Sequence, residues 1–140
     1  MLMGEYHHNL DEKNRLVMPS KLCKTLGEEV VITRGFEKSI LVYPTDKWDK
    51  IVEKFSELSF TKSDARKFMR IFMSSATSCK FDSQKRICIP GVLKNYANLD
   101  KEAVILGIDD HLEIWDEKTY EEFLDENLDS FASIAENLYE

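Results

Sequence analysis

Five glycines, three prolines and three cysteines are all that 140 residues hold of these types. Glycine this sparse offers little for phosphate-cradling loops or a deep pocket. No G-x-G-x-x-G, G-x-x-x-x-G-K-[ST], H-E-x-x-H or G-x-S-x-G stretch occurs, so the common nucleotide, zinc-protease and hydrolase signatures are missing. An enzyme is not expected, and neither is a cofactor or a small-molecule substrate. Cys23, Cys79 and Cys88 are an odd count at irregular spacings, which is no disulfide framework. No C-x-x-C pair exists, and adjacent His7 and His8 point to opposite faces of a strand, so no metal site is expected. Cys23 and Cys88 read as core or near-core residues. There is no run of about 18 apolar residues to span a membrane. The opening MLMGEYHHNLDEK has no apolar stretch of signal-peptide kind and already carries acidic residues. A cytoplasmic protein is the expectation.

Charge is present in quantity but unevenly placed. The net charge is −7, which taken alone argues against nucleic acid. Residues 1–99 hold 17 Lys/Arg against 12 Asp/Glu, whereas residues 100–140 hold 2 against 14. A locally basic body is joined to a strongly acidic C-terminal segment. Such asymmetry points to nucleic acid or a charged partner, or simply to a solvated acidic helix.

One short phrase occurs twice. DEKNRLVMP runs from Asp11 to Pro19, and DSQKRICIP from Asp82 to Pro90. Each is Asp, three residues, Arg, three residues, Pro. The likeness continues through Leu22 and Leu93, through LGEEVVI and LDKEAVI, and through ILVYPTDKW and LEIWDEKTY. The chain is two copies of one unit, read as residues 1–60, a connecting helix over 61–77, and residues 78–140.

Each copy has the same coarse reading. A short strand (5–10; 78–81) leads into a turn where Asp11 or Asp82 accepts turn N–H groups and Asn14 tolerates the left-handed region. A second strand follows (15–18; 86–89), in which Ile87 and Ile89 alternate with Arg86 and Cys88. Pro19 and Pro90 suit the first turn of a short helix, with Leu22 and Leu26 facing inward in the first copy. Residues 29–33 and 103–106 read as buried strands. They pair with 40–43 and 112–115 across turns containing Gly35 and Asp109-Asp110. Thr45 and Asp116 are candidate N-caps of closing helices, and Thr61 or Ser63 of the connecting helix. The last helix is expected to run unbroken from 117 to about 138, with Tyr120, Phe123, Leu124, Leu128, Phe131 and Ile134 in one stripe. One such unit buries too little apolar surface to stand alone, so two are expected to interlock around a shared core. The apolar stripes at 68–73 and 120–134 exceed what that core needs and suit helix packing or self-association, or, residue by residue, simply cover their own sheet.

The doubled Asp-x-x-x-Arg-x-x-x-Pro, each on a strand–turn–strand and followed by VVITRG…ILVYP or AVILGID…LEIW, resembles the MraZ family of bacterial proteins. That family sits beside the AbrB-type regulators among swapped-hairpin DNA-binding proteins, and the resemblance covers essentially the whole chain. It implies an α+β fold with a mostly β core: two tandem AbrB-like units forming an intrachain pseudo-dimeric barrel flanked by helices. It also implies a ring-shaped homo-oligomer and a nucleoid-associated transcriptional regulator. The regulator would act at the promoter of the division and cell-wall gene cluster by reading short tandem repeats of double-stranded DNA. The family usually has Gly before each motif Arg. Here Asn14 and Lys85 stand there, and Lys at a left-handed position suggests a differently shaped second turn.

The residue chemistry agrees with that implication. An Arg leaving a tight turn on a two-stranded ribbon can fork onto guanine O6 and N7, so Arg15 and Arg86 are the candidate base readers. Lys13, Lys85, Lys21, Lys80 and Arg34 lie near the motifs in sequence and are candidate phosphate contacts. Asp11, Asn14, Pro19, Asp82 and Pro90 are read as shaping the turns. Asp11–Arg15 and Asp82–Arg86 can equally be ion pairs that pin each turn, and Arg34 a residue of the fold. The basic run Lys62, Arg66, Lys67 and Arg70 reads as a solvated helix face or as an inter-subunit partner of the acidic helix. Two alternatives stand beside the regulator: a ring that recruits division proteins through its acidic helices, and a small phosphate-ligand enzyme using the two Asp/Arg turns.

Overall fold

In the computed structural model, residues 1–139 are described; residue 140, the last of the segment 78–140, lies outside the described residues. The first copy supplies β1 (Leu2–Asn9), β2 (Arg15–Val17), α1 (Ser20–Leu26), β3 (Glu29–Arg34), β4 (Ile40–Pro44) and α2 (Thr45–Phe55). α3 (Ser63–Ser74) follows. The second copy repeats the order with β5 (Thr77–Lys80), β6 (Arg86–Cys88), α4 (Gly91–Tyr96), β7 (Glu102–Asp109), β8 (His111–Asp116) and α5 (Glu117–Asn127). A 3-10 turn (Leu128–Ser130) and α6 (Phe131–Asn137) close the described chain.

The strands show how two weak units become one core. The main sheet has the order β1-β7-β8-β4-β3-β5, which reads the same from either end once the copies are exchanged. Its centre is the β4–β8 pair, where Ile40 faces Ile114, Val42 faces Leu112, and Leu41 faces Glu113. Each outer strand has crossed to the other copy: β1 pairs with β7, and β5 with β3. β2 and β6 pair only with each other, as a separate two-stranded ribbon. The units are therefore swapped. Leu16, Met18, Ile87 and Ile89 from the two motifs share one buried cluster with Val30, Ile32, Ile40, Val42, Ile105 and Ile114 from the sheet. Each such fully buried aliphatic side chain contributes about 1.5–3 kcal/mol.

The α+β, mostly β reading holds, but the barrel does not. β1 and β5 are the two edges of the sheet and do not pair with each other. The ribbon does not bridge them: β2 and β6 form a ladder with each other and none with β1 or β5. It touches β1 and β5 and covers the core instead of closing it.

The opposite face of the sheet is covered by helices. α2 and α3 bring Trp48, Phe55 and Phe68 to Leu41, Tyr43 and Phe72, with Trp48 stacked on Phe72 at 5.6 Å. On the second copy Tyr120 of α5 packs on Val104, Leu106 and Trp115. Gly107 lets β1 approach β7, since a Cβ there would meet the backbone of Met3.

Helix ends differ from the sequence expectation in five places. Pro19 and Pro90 sit one position before their helices, at the N-cap, not inside the first turn. Thr45 does not cap α2: Pro44, with its fixed φ of −56°, occupies the cap and Thr45 is already helical. Neither Thr61 nor Ser63 caps α3, which begins after Lys62. The Thr61 hydroxyl bonds Ser59 at 2.7 Å instead. The last helix is broken: Asn127 turns its side-chain amide back onto the Phe123 carbonyl at 2.8 Å, competing with the helical ladder. Asp116 does cap α5, accepting from the Thr119 N–H at 3.3 Å.

Candidate nucleic-acid interface

The two motif turns are built alike, atom for atom. The Asp11 N–H donates to the Arg15 carbonyl, and the Asn14 N–H to the Asp11 carbonyl, both at 3.0 Å. In the second copy Asp82 donates to Arg86 and Lys85 to Asp82 at the same 3.0 Å. Asp11 Oδ1 accepts the Lys13 and Arg15 N–H groups at 2.9 Å, and Asp82 Oδ1 accepts those of Gln84 and Arg86 at 2.9 Å. The second carboxylate oxygen takes the arginine Nε, at 2.7 Å in the Asp11–Arg15 pair and 2.8 Å in Asp82–Arg86. Asn14 has φ 58° and Lys85 φ 61°. The expectation that Lys85 reshapes the second turn is thus overturned. The hydrogen-bonded frame around it forces the left-handed conformation on a side chain that disfavours it.

These bonds also set the protonation of the turn carboxylates. Backbone N–H donation from Arg15, with its guanidinium and the Lys13 N–H behind it, holds Asp11 below the ordinary carboxylate value. Arg86 and Gln84 do the same for Asp82.

The ribbon then decides where the arginines go. In the β2–β6 register Arg15 faces Cys88, Leu16 faces Ile87, and Val17 faces Arg86. Leu16 and Ile87 are buried. Strand alternation therefore puts Arg15, Val17, Arg86 and Cys88 together on the outer face. The copies lock across the ribbon: Met18 donates to the Lys85 carbonyl and Ile89 to the Asn14 carbonyl, both at 2.9 Å. The Cys88 thiol donates to the Lys13 carbonyl at 3.6 Å, so Cys88 is an exposed ribbon residue and not a core one. Cys23 lies against the core, half-buried.

The two sites differ in three respects. Nη1 of Arg86 also approaches Asp11, the other copy's carboxylate, at 3.8 Å. The Arg15 side chain is 32% exposed and that of Arg86 21%. Lys94 of α4 reaches across the copies to donate to Asn14 Oδ1 at 3.0 Å. Sequence reasoning missed Lys94, and its counterpart in the repeat is Cys23, so nothing in the repeat pattern signalled it.

The remaining candidates separate. Lys13 and Lys85 are exposed on the turns, and Lys21 is exposed on α1. Lys21 and Lys85 line one groove with Tyr6, Val17 and Pro19. Lys80 is exposed at the end of β5, opposite Glu29 in the ladder. Arg34 is committed to the fold: its Nη1 donates to the Ile71 carbonyl at 2.7 Å, at the last turn of α3. It does not join the ribbon residues. Among the described residues, His, Cys, Asp and Glu nowhere gather as three or more able to hold a metal ion, and no helix is long and apolar enough to cross a membrane.

The doubled architecture has a counterpart among known families. The family model described as "MraZ protein, putative antitoxin-like" matches the chain twice, over residues 1–71 and 72–140.

Proposed function

Because the chain belongs to the MraZ family, a family of DNA-binding regulators, we propose that it is a sequence-specific transcriptional regulator that reads DNA with the outer face of the β2–β6 ribbon. The observation that carries this reading is the paired presentation of Arg15 and Arg86 by two identical turns on one rigid face. Each Asp grips the guanidinium by its Nε. That fixes the rotamer and leaves the terminal amino groups pointing on as a fork, the shape that guanine O6 and N7 accept, although Nη1 of Arg86 also lies 3.8 Å from Asp11. Lys13, Lys21, Lys85 and Lys80 supply phosphate contacts around it. Lys94 positions the first turn through Asn14.

One such face offers few phosphate contacts and binds weakly at physiological salt. A ring-shaped homo-oligomer gains by effective concentration on tandem repeats. The promoter of the division and cell-wall gene cluster is the target that the family likeness suggests, and the cytoplasm and nucleoid are the place of action.

The enzyme alternative fares worse on the same geometry. Asp11 and Asp82 each spend their oxygens on two backbone N–H groups and an arginine. A carboxylate held this way is a poor general base.

Gel-shift titration against the duplex upstream of the protein's own gene, at two salt concentrations, tests the reading. Preference over shuffled duplex, with affinity falling steeply as salt rises, is expected. Equal affinity for the two duplexes contradicts it.

A further inference from the structure

The outer face of the ribbon carries one aliphatic side chain. Leu16, Met18, Ile87 and Ile89 of the two motifs are exposed by 1% or less, whereas Val17 is 37% exposed. Val17 stands directly opposite Arg86 in the β2–β6 ladder, where facing backbones lie about 4.5–5.5 Å apart. Strand alternation keeps it on the side of the two arginines. A single surface valine is ordinary in itself, so its surroundings decide what it does.

Those surroundings differ between the copies. Val17 lies in a groove of about 480 Å³ with Tyr6, His8, Lys21, Gln84 and Lys85. Among the described residues that line it, none is acidic. Asp11 and Asp82, the carboxylates of the two turns, are occupied by arginine and by backbone N–H groups. The repeat that aligns Asp11 with Asp82 sets Val17 against Cys88, Lys21 against Val92, Gln84 against Lys13, and Lys85 against Asn14. The other half therefore has a thiol in place of two methyl groups, and that thiol donates to the Lys13 carbonyl. Its cations are weaker too: Lys13 has Glu12 beside it, where the second turn has Ser83, and Lys94 is bonded to Asn14.

In the major groove the apolar feature among the base edges is the thymine 5-methyl group, and phosphates line the groove on both sides. An aliphatic side chain flanked by exposed lysines fits that pattern. We propose that Val17 reads the 5-methyl group of a thymine beside the guanine taken by Arg86, with Lys21 and Lys85 on the flanking phosphates. The Cys88 half has no such reader. The DNA element is therefore asymmetric, although the ribbon that reads it is pseudo-twofold. This rests on the DNA reading above and adds a base that the same face recognises.

Deoxyuridine tests it, because replacing thymine by deoxyuridine removes the methyl group and keeps the pairing and the phosphates. Anisotropy titrations of the full-length protein use the duplex upstream of its own gene, with each thymine of the repeats replaced in turn. Wild type is expected to lose about fourfold in affinity at one thymine position per repeat, the worth of one buried methyl group. Val17→Ala should bind the thymine and deoxyuridine forms of that position equally. Cys88→Ala should keep the fourfold difference. The wild-type comparison needs no variant, so it decides whether or not Val17→Ala folds well. Wild-type binding that no deoxyuridine weakens, a difference that survives Val17→Ala, or one that Cys88→Ala abolishes overturns the proposal. If wild type still prefers this duplex over a shuffled one, only the thymine inference falls. Equal affinity for the two duplexes overturns the DNA reading along with it.

Discussion

The Arg86 guanidinium stands 3.8 Å from the carboxylate of Asp11, a residue of the other repeat. Asp11 therefore serves both arginines, whereas Asp82 serves its own. Two turns with the same internal hydrogen bonds are electrostatically unequal. Asp11→Ala should weaken DNA binding more than Asp82→Ala and lower the melting temperature more. Anisotropy titrations and thermal melts of the two variants check the order.

Lys85 gives a second prediction. A Lys held at φ 61° carries left-handed strain of about 1 kcal/mol. Lys85→Asn copies the first turn, where Asn14 has φ 58°. It should stabilise the protein by about 0.5–1 kcal/mol, raising the melting temperature by about 3 °C. The same change removes an exposed cation from the proposed DNA face. The plot of log affinity against log salt should flatten by about one.

How much of this was legible in the sequence follows from what each residue needs. The doubled motif, the strands and the shared core were legible because apolar alternation and turn residues are local signals. The shared Asp11 was not, because nothing in the sequence says that β2 of one copy pairs with β6 of the other. Lys94 stayed hidden for the same reason, being 80 residues from its partner Asn14. Arg34 lies near a motif in sequence, yet its partner is the Ile71 carbonyl. Lys85 was misjudged because its intrinsic preference, a local property, yields to a frame of bonds supplied by both copies.

The ribbon's inner side makes a third prediction. Leu16 and Ile87 face each other beneath the arginines and are fully buried. Leu16→Ala leaves a cavity under both readers and should cost about 2–5 kcal/mol. Because the ribbon is shared, both copies should lose hydrogen-exchange protection at residues 15–17 and 86–88 together, not the first copy alone.

The turn carboxylates predict an acid limit. Asp11 and Asp82 titrate below their ordinary value of 3.8, so their contribution is complete above that value. It is lost as pH falls through the depressed values. The melting-temperature gap between wild type and Asp11→Asn with Asp82→Asn should be constant well above 3.8 and narrow as pH falls below it. His7 has the opposite sign. Glu5 first, then Glu117, raise it above 6.5, so its ties to Glu5 and to Glu117 at the start of α5 strengthen below 6.5 and fade as pH rises through the raised value. The side chain is half exposed, so His7→Ala should alter the acid side of neutrality slightly and leave pH 9 unchanged.

Affinity for promoter duplex at one fixed salt concentration, compared among wild type, Arg15→Ala, Arg86→Ala and the double variant, tests the central claim most directly. Each single change should cost about 1–3 kcal/mol of discrimination between promoter and shuffled duplex. The double variant should lose sequence preference while sedimenting as wild type does. Unchanged promoter affinity in a folded, assembled double variant contradicts the assignment of the two arginines as readers.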